Sequence, residues 1–140
     1  MKILLAVDGS KYTRKMLAYL GTHEELFGKN NEYVIFNVQS PLPLRARTAL
    51  GKDVIQRYYQ EEAERVLAPV LKYLQRHSLK VRSDWKIGED GETIARYAES
   101  GKFELAVMGS HGQGALASLV MGSVATRVLA NCKVPVLLVR

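Results

Sequence analysis

The strongest constraint on the fold of this chain is an alternation: short, nearly unbroken apolar runs are separated by longer stretches in which apolar residues recur every three to four positions. A short apolar run suits a strand buried on both faces, and a 3.6-residue stripe suits an amphipathic helix. Together they read as β/α alternation around a parallel sheet. The runs are Ile3 to Val7, Tyr33 to Val38, Leu79 to Ile87, Glu104 to Met108 and Val134 to Val139. Between them, Ser10 is placed to cap a helix whose stripe Met16, Leu17, Leu20 and Phe27 runs to a stop at Gly28. A second stripe, Ala63, Val66, Leu67, Val70, Leu71 and Leu74, passes through Pro69 without losing phase. An internal proline removes a helix hydrogen bond at a cost of about 3 kcal/mol, so this stretch predicts one kinked helix, not two. Asp90 is placed to cap a helix that turns Ile94, Ala95 and Ala98 inward and stops at Gly101, and a last helix runs from about Ser123 to Asn131. Five strands and four helices use the whole length, with no linker or repeat. The expectation is a single domain, 1–140, built as an open five-stranded parallel sheet with helices on both faces, a three-layer α/β/α sandwich.

Composition removes several functional classes. With 47% apolar and 24% charged residues the chain can bury a core. No apolar run approaches the roughly 20 residues that span a bilayer, which argues against membrane insertion. The opening Met-Lys and strand-like run lack the hydrophobic segment and cleavage site of a signal peptide, and the lone Cys132 forms no internal disulfide, so a cytoplasmic protein is expected. His23, His77 and His111 are scattered and no Cys-x-x-Cys or His-Glu-x-x-His spacing occurs, which disfavours a transition-metal site made by the protein. Twenty Lys and Arg against 14 Asp and Glu give a net charge of +6, compatible with nucleic acid, a membrane surface or a small anionic ligand. No helix-turn-helix, zinc-finger or RNP-type motif accompanies the charge, so nucleic acid is the weakest of these.

In an open parallel sheet ligands bind beyond the carboxyl ends of the strands, where the winding reverses. The loops that matter are Asp8-Gly9-Ser10 after the first strand, Val38-Gln39-Ser40-Pro41 after the second and Gly109-Ser110-His111-Gly112-Gln113-Gly114 after the fourth. Three glycines in six residues let a backbone turn sharply and bring amides to an anion. Gly122-Ser123 then opens the final helix, which supplies unpaired N–H groups and the positive dipole end. Neither a Walker A loop nor a Rossmann Gly-x-Gly-x-x-Gly is present. Asp8 is open to two readings, a ligand of the pocket or a group that satisfies turn amides.

Gly109-Ser110-His111-Gly112, nine residues, then Gly122-Ser123 matches Gly-x2-Gly-x9-Gly-[Ser/Thr], and the chain thereby resembles the universal stress protein family, specifically its ATP-binding branch. The opening Ile3 to Ser10, the Val38 end of the second strand and the closing Pro135 to Val139 extend the resemblance over nearly the full length. It implies a Rossmann-like fold of the nucleotide-binding α-hydrolase kind. It also implies ATP as ligand, with Mg²⁺ or Mn²⁺ held mainly through the phosphates. Asp8 would face ribose and base, with Ala6 and Val7 as wall. Val38 would meet adenine through its main chain and Met108 would pack near the base. Gly109 and Gly112 would serve the phosphates with His111 on the rim, and Gly122, Ser123 and Val124 would cradle the phosphate tail. Asn37 departs from the pattern, standing where many members carry His. A homodimer through the final strand, Val134 to Val139, is implied as well, while the protein partner is not indicated.

A nucleotide-dependent regulatory or stress-response protein is the favoured function. The alternatives are a slow ATPase or phosphotransferase, and a nucleotide-free dimeric scaffold. Phosphoryl transfer needs positioned cations and a group that orients the nucleophile, and the loop has no Walker lysine. Arg45, Arg47, Lys52 and Arg57 cluster after the second strand, where Arg45 and Arg47 could reach an anionic ligand from a loop.

Overall fold

The computed structural model describes residues 1–114 and 120–140. Its elements are β1 (Lys2–Ala6), α1 (Lys11–Thr22), β2 (Glu32–Gln39), α2 (Leu44–Ala49), α3 (Lys52–Arg76), β3 (Lys80–Ile87), α4 (Asp90–Ser100), β4 (Leu105–Gly109), α5 (Ser123–Asn131) and β5 (Val136–Val139). The five strands are all parallel in the order β3-β2-β1-β4-β5, with Leu5 opposite Ile35 on one side and Val107 on the other. The chain winds outward from β1 to β3, then returns to β4 on the other side of β1. The switch point therefore lies between β1 and β4.

The two-residue period of a strand divides its side chains between two layers. Ile3, Leu5, Val7, Tyr33 and Ile35 pack with Met16, Leu17 and Leu20 of α1 and with Ala63, Val66, Leu67, Val70 and Leu74 of α3. Leu4, Ala6, Val34 and Phe36 turn the other way, against Ile94 and Ala98 of α4 and Ala125 and Val128 of α5. Each fully buried Leu, Ile or Val in these layers contributes about 1.5 to 3 kcal/mol through removal of apolar surface from water. α3 is one helix through Pro69, whose ring sits on the exposed side. There the carbonyl freed by the missing N–H can be hydrated, so the in-phase stripe on the buried side survives the proline.

Four details depart from the sequence reading. α1 ends at Thr22, not Gly28, with His23 as its C-cap. Phe27 is nonetheless buried, because the turn that follows, with Leu26 and Phe27 amides on the His23 carbonyl, keeps it in the same layer. The stripe reported burial, not helix. The short helix α2 was not anticipated, since it buries none of its residues and so has no stripe to read; its Leu-Arg-Ala composition favours a helix once Pro43 fixes the start. β5 begins at Val136, because Pro135 has no N–H and joins the sheet only through its carbonyl, on the Ala106 amide at 2.9 Å. The cap of α4 is Glu89, not Asp90: its carboxylate accepts from the amides of Gly91 at 3.1 Å and Glu92 at 2.7 Å.

Candidate functional site

A cleft of 430 Å³ opens at the carboxyl edge of the sheet over the β1/β4 switch point. That volume is in the range of small-molecule sites. Ala6, Val7, Asp8, Val38, Met108, Gly109, His111, Gly112, Gly122, Ser123 and Val124 all line it, together with Tyr12, Thr13, Phe36, Asn37, Asp90, Ile94, Gln113, Gly114 and Ala125. The loops after β1 and β4 and the start of α5 therefore meet at one place, while the segment Val38 to Pro41 contributes only its first residue, Val38, and not Gln39, Ser40 or Pro41. Arg45 and Arg47, on the exposed α2, are not among the lining residues.

One end of the cleft is made by close approaches of backbone. A Cβ on Gly109 would stand 2.6 Å from Cβ of Tyr12, one on Gly112 2.8 Å from Oδ2 of Asp8, and one on Gly122 3.1 Å from Cα of His111. None of these three glycines has a positive φ; that conformation belongs to Gly9 and Gly114, at 78° and 69°. The spaced glycines are thus required for space, and Gly114 for its dihedral. The Gly122 amide donates to the Ser110 carbonyl at 2.7 Å, which sets the start of α5 against the loop after β4. Gly122 caps α5 without a side chain, so the first amides of the helix, in Ser123 and Val124, are left for another acceptor at the dipole's positive end. The rim carries cations: the Tyr12 ring lies 5.0 Å from the His111 ring, and the ammonium groups of Lys11 and Lys15 stand 5.4 and 5.0 Å from its centroid.

Asp8 fills much of its own hydrogen-bonding capacity. Oδ1 accepts from the Ser10 amide at 2.9 Å and the Thr13 hydroxyl at 3.1 Å, and Oδ2 accepts from the Gln113 amide at 3.2 Å. The Gln113 side chain donates to the Asp8 carbonyl at 2.8 Å. Both readings of Asp8 describe its position: it satisfies turn amides and it lines the cleft. Its carboxylate is also the clasp that holds the glycine loop to the end of β1. Thr13 and Gln113, which complete the clasp, were missed by sequence reasoning because nothing in their local pattern marks them.

The other end is made by side chains. Phe36, Val38, Ile94 and Met108 form an apolar wall. Asn37, 3% exposed, donates to the Val7 carbonyl at 2.9 Å and accepts from Gln39, so it ties β2 to β1 at the last residues of the sheet. Asp90 lies at the first turn of α4; its Oδ1 is enclosed and has no hydrogen-bond partner. Burial, then the carboxylates of Glu89 and Asp8, push its carboxyl above the usual carboxylate range. Glu89 goes the other way, lowered chiefly by the Glu92 amide and further by the Gly91 amide and by Arg127 of α5, whose Nη1 is 3.3 Å away.

The family model described as the universal stress protein family matches residues 1–140. The chain belongs to the universal stress protein family. Universal stress protein MJ0531 of Methanocaldococcus jannaschii is 33% identical over 140 residues, covering 99% of this chain and 81% of the relative. The solved structure of MJ0577, from the same organism, superposes with a TM-score of 0.83 at 26% identity, covering 99% of this chain and 94% of that one. The universal stress protein from Archaeoglobus fulgidus, solved in complex with dAMP, superposes with a TM-score of 0.66 over 100% of this chain and 98% of its own; at 21% identity the likeness is one of fold. No described helix is long and apolar enough to cross a membrane.

Proposed function

We propose that this universal stress protein binds ATP in the cleft over the β1/β4 switch point and acts as a nucleotide-dependent regulator of the stress response. The observation that carries the reading is the division of the cleft. An apolar wall of Phe36, Val38, Ile94 and Met108 suits a purine, and the glycine approaches with the uncapped start of α5 suit phosphates. A relative of the same fold holds dAMP. The phosphates would lie against the Gly109 to Gly112 backbone and the amides of Ser123 and Val124, with Lys11 and Lys15 near enough to favour approach. Mg²⁺ or Mn²⁺ would ride on the phosphate oxygens, since a hard cation bound to a nucleotide needs few protein ligands.

Regulation is favoured over turnover because Asp8 is engaged by Ser10, Thr13 and Gln113 and is poorly placed to serve as a general base. The cytoplasm is the proposed compartment. Self-association through β5 is part of the proposal: it is an edge strand, and its Val136, Leu137 and Leu138 are only half-buried in the single chain. Calorimetric titration with ATP and Mg²⁺, followed by single-turnover assay of the loaded protein, tests the reading. Saturable binding with slow or no hydrolysis is expected. Absence of binding would overturn the nucleotide assignment, and fast hydrolysis would replace the regulator with an enzyme.

A further inference from the structure

We infer that the chain carries a second small-molecule site at the amino edge of the sheet, opposite the nucleotide cleft, and that its ligand is an organic cation, an ammonium group on an apolar or aromatic body. The inference is independent of the nucleotide reading.

A pocket of 470 Å³ lies where α1 and α3 end and β3 begins, a volume in the range of small-molecule sites. Leu20, Phe27 and Leu74 close its base, each at most 3% exposed, and the half-buried Tyr73 and Leu79 give the apolar surface that stays open to a ligand. Two close approaches shape the walls. A Cβ on Gly21 would stand 3.0 Å from the Tyr73 hydroxyl oxygen, and one on Gly28 2.7 Å from the Glu24 carbonyl oxygen. Gly21 thus lets the Tyr73 ring, which also packs at 4.7 Å on the His77 ring, reach from α3 to the last turn of α1.

The charge at this pocket runs against the field of the helices. A helix C-terminus is the negative end of its dipole and is stabilised by cations. α1 has no basic residue in its last turn, and Glu24 and Glu25 follow its end and line the pocket. α3 ends at the same place with His77 as its C-cap; its last turn carries Arg76, which does not line the pocket. Lys29 is the one lysine or arginine that does, and among the described residues no ion pair joins it to either glutamate. Two carboxylates at a dipole end of their own sign are an unfavourable arrangement that an ammonium group reverses. With the ammonium beside Glu24 and Glu25, the body of the ligand covers Tyr73 and Leu79, and the face of the tyrosine ring adds its own attraction for a cation. A carboxylate in the same place would meet like charge from the glutamates and from both helix ends.

The test titrates the full chain, followed by amide NMR shifts, with three indoles of nearly one shape: tryptamine, tryptophol and indole-3-acetate, which end in an ammonium, a hydroxyl and a carboxylate. Tryptamine is expected to saturate, moving the amides of Gly21, Gly28 and His77 and leaving those of Gly109 and Gly112 in place. It should bind at least about threefold more tightly than tryptophol, a modest ratio because the two glutamates are exposed and each ion pair in water is weak. Indole-3-acetate should bind more weakly than either. In the double variant Glu24→Gln/Glu25→Gln, which alters exposed side chains and no core residue, tryptamine should fall to the level of tryptophol while tryptophol itself is unchanged. Equal affinities for the three probes, a preference for tryptamine that survives in the double variant, shifts confined to the nucleotide cleft, or no saturable shift with any probe would each overturn the inference.

Discussion

The two ends of the cleft are built on different physical terms. At the β4 and α5 end, the surface is backbone: Gly109, Gly112 and Gly122 allow three contacts that a Cβ would obstruct, and the helix amides need no particular side chain. At the β2 and α4 end, the surface is side chain: Asn37 clasps two strands, Asp90 carries an orphaned oxygen, and Phe36, Ile94 and Met108 supply apolar area. An end made of backbone tolerates exchange of its side chains but not the addition of bulk. An end made of side chains tolerates small changes in space but depends on chemical identity.

The sharpest way to break this contrast is bulk at the glycine end. In Gly109→Ala the new methyl would stand 2.6 Å from Cβ of Tyr12 and 3.1 Å from the His111 carbonyl, and neither is the loose end of a flexible side chain. Overpacking of this kind costs about 1 to 3 kcal/mol. It also moves the loop away from α1, so ATP affinity should fall by more than about tenfold, since small misplacements of positioned groups are expensive. Urea unfolding and calorimetry on the same preparation check both effects, and an unaltered affinity would show that the loop does not touch the ligand. Gly114→Ala is the control within the same loop. It has open space but a φ of 69°, so about 1 kcal/mol of stability should be lost with ATP affinity nearly unchanged.

At the other end the expected effects come from removing a group. Asn37→Ala leaves the Val7 carbonyl without its donor in a buried position, which should cost about 1 to 3 kcal/mol in denaturant unfolding. Loss of less than that would mean that water replaces the amide.

The difference between the ends also explains what the amino-acid sequence discloses. Spaced glycines are legible because each is the residue type a close approach requires, so the loop after β4 and the start of α5 stand out in one dimension. The α/β alternation is legible for a similar reason, as periodicity maps onto the two layers that flank the sheet. That Asp90 does not cap α4 was not legible. An aspartate at a strand-to-helix junction reads as a cap, and only the fold shows that Glu89, one residue earlier, has taken the two amides. Thr13 and Gln113 were invisible because their meaning comes from Asp8, and in the case of Gln113 that partner is 105 residues away. α2 was missed because none of its residues is buried, so it leaves no apolar stripe to read.

The smallest effect should come from the charge at Asp90 in the unliganded protein. Its folded-state pKa is raised, so the stability linked to it is fully present below the ordinary aspartate value and is lost as pH rises through the folded value. Above that raised value the ionised carboxylate therefore works against the fold, through burial and the nearness of Glu89 and Asp8. Opposing this is the dipole of α4, which favours a negative charge in its first turn by about 0.3 to 1 kcal/mol. Because the burial cost exceeds that benefit when one oxygen has no donor at all, Asp90→Asn should raise Tm by about 1 to 3 °C at a pH above the raised value. The gain should shrink as pH falls through the raised value and vanish below the ordinary one, where wild type and variant are both neutral. Thermal melts across that range decide the matter: a gain that is independent of pH would assign the effect to packing, and a lower Tm at the alkaline end would mean that the helix dipole outweighs the missing hydrogen bond.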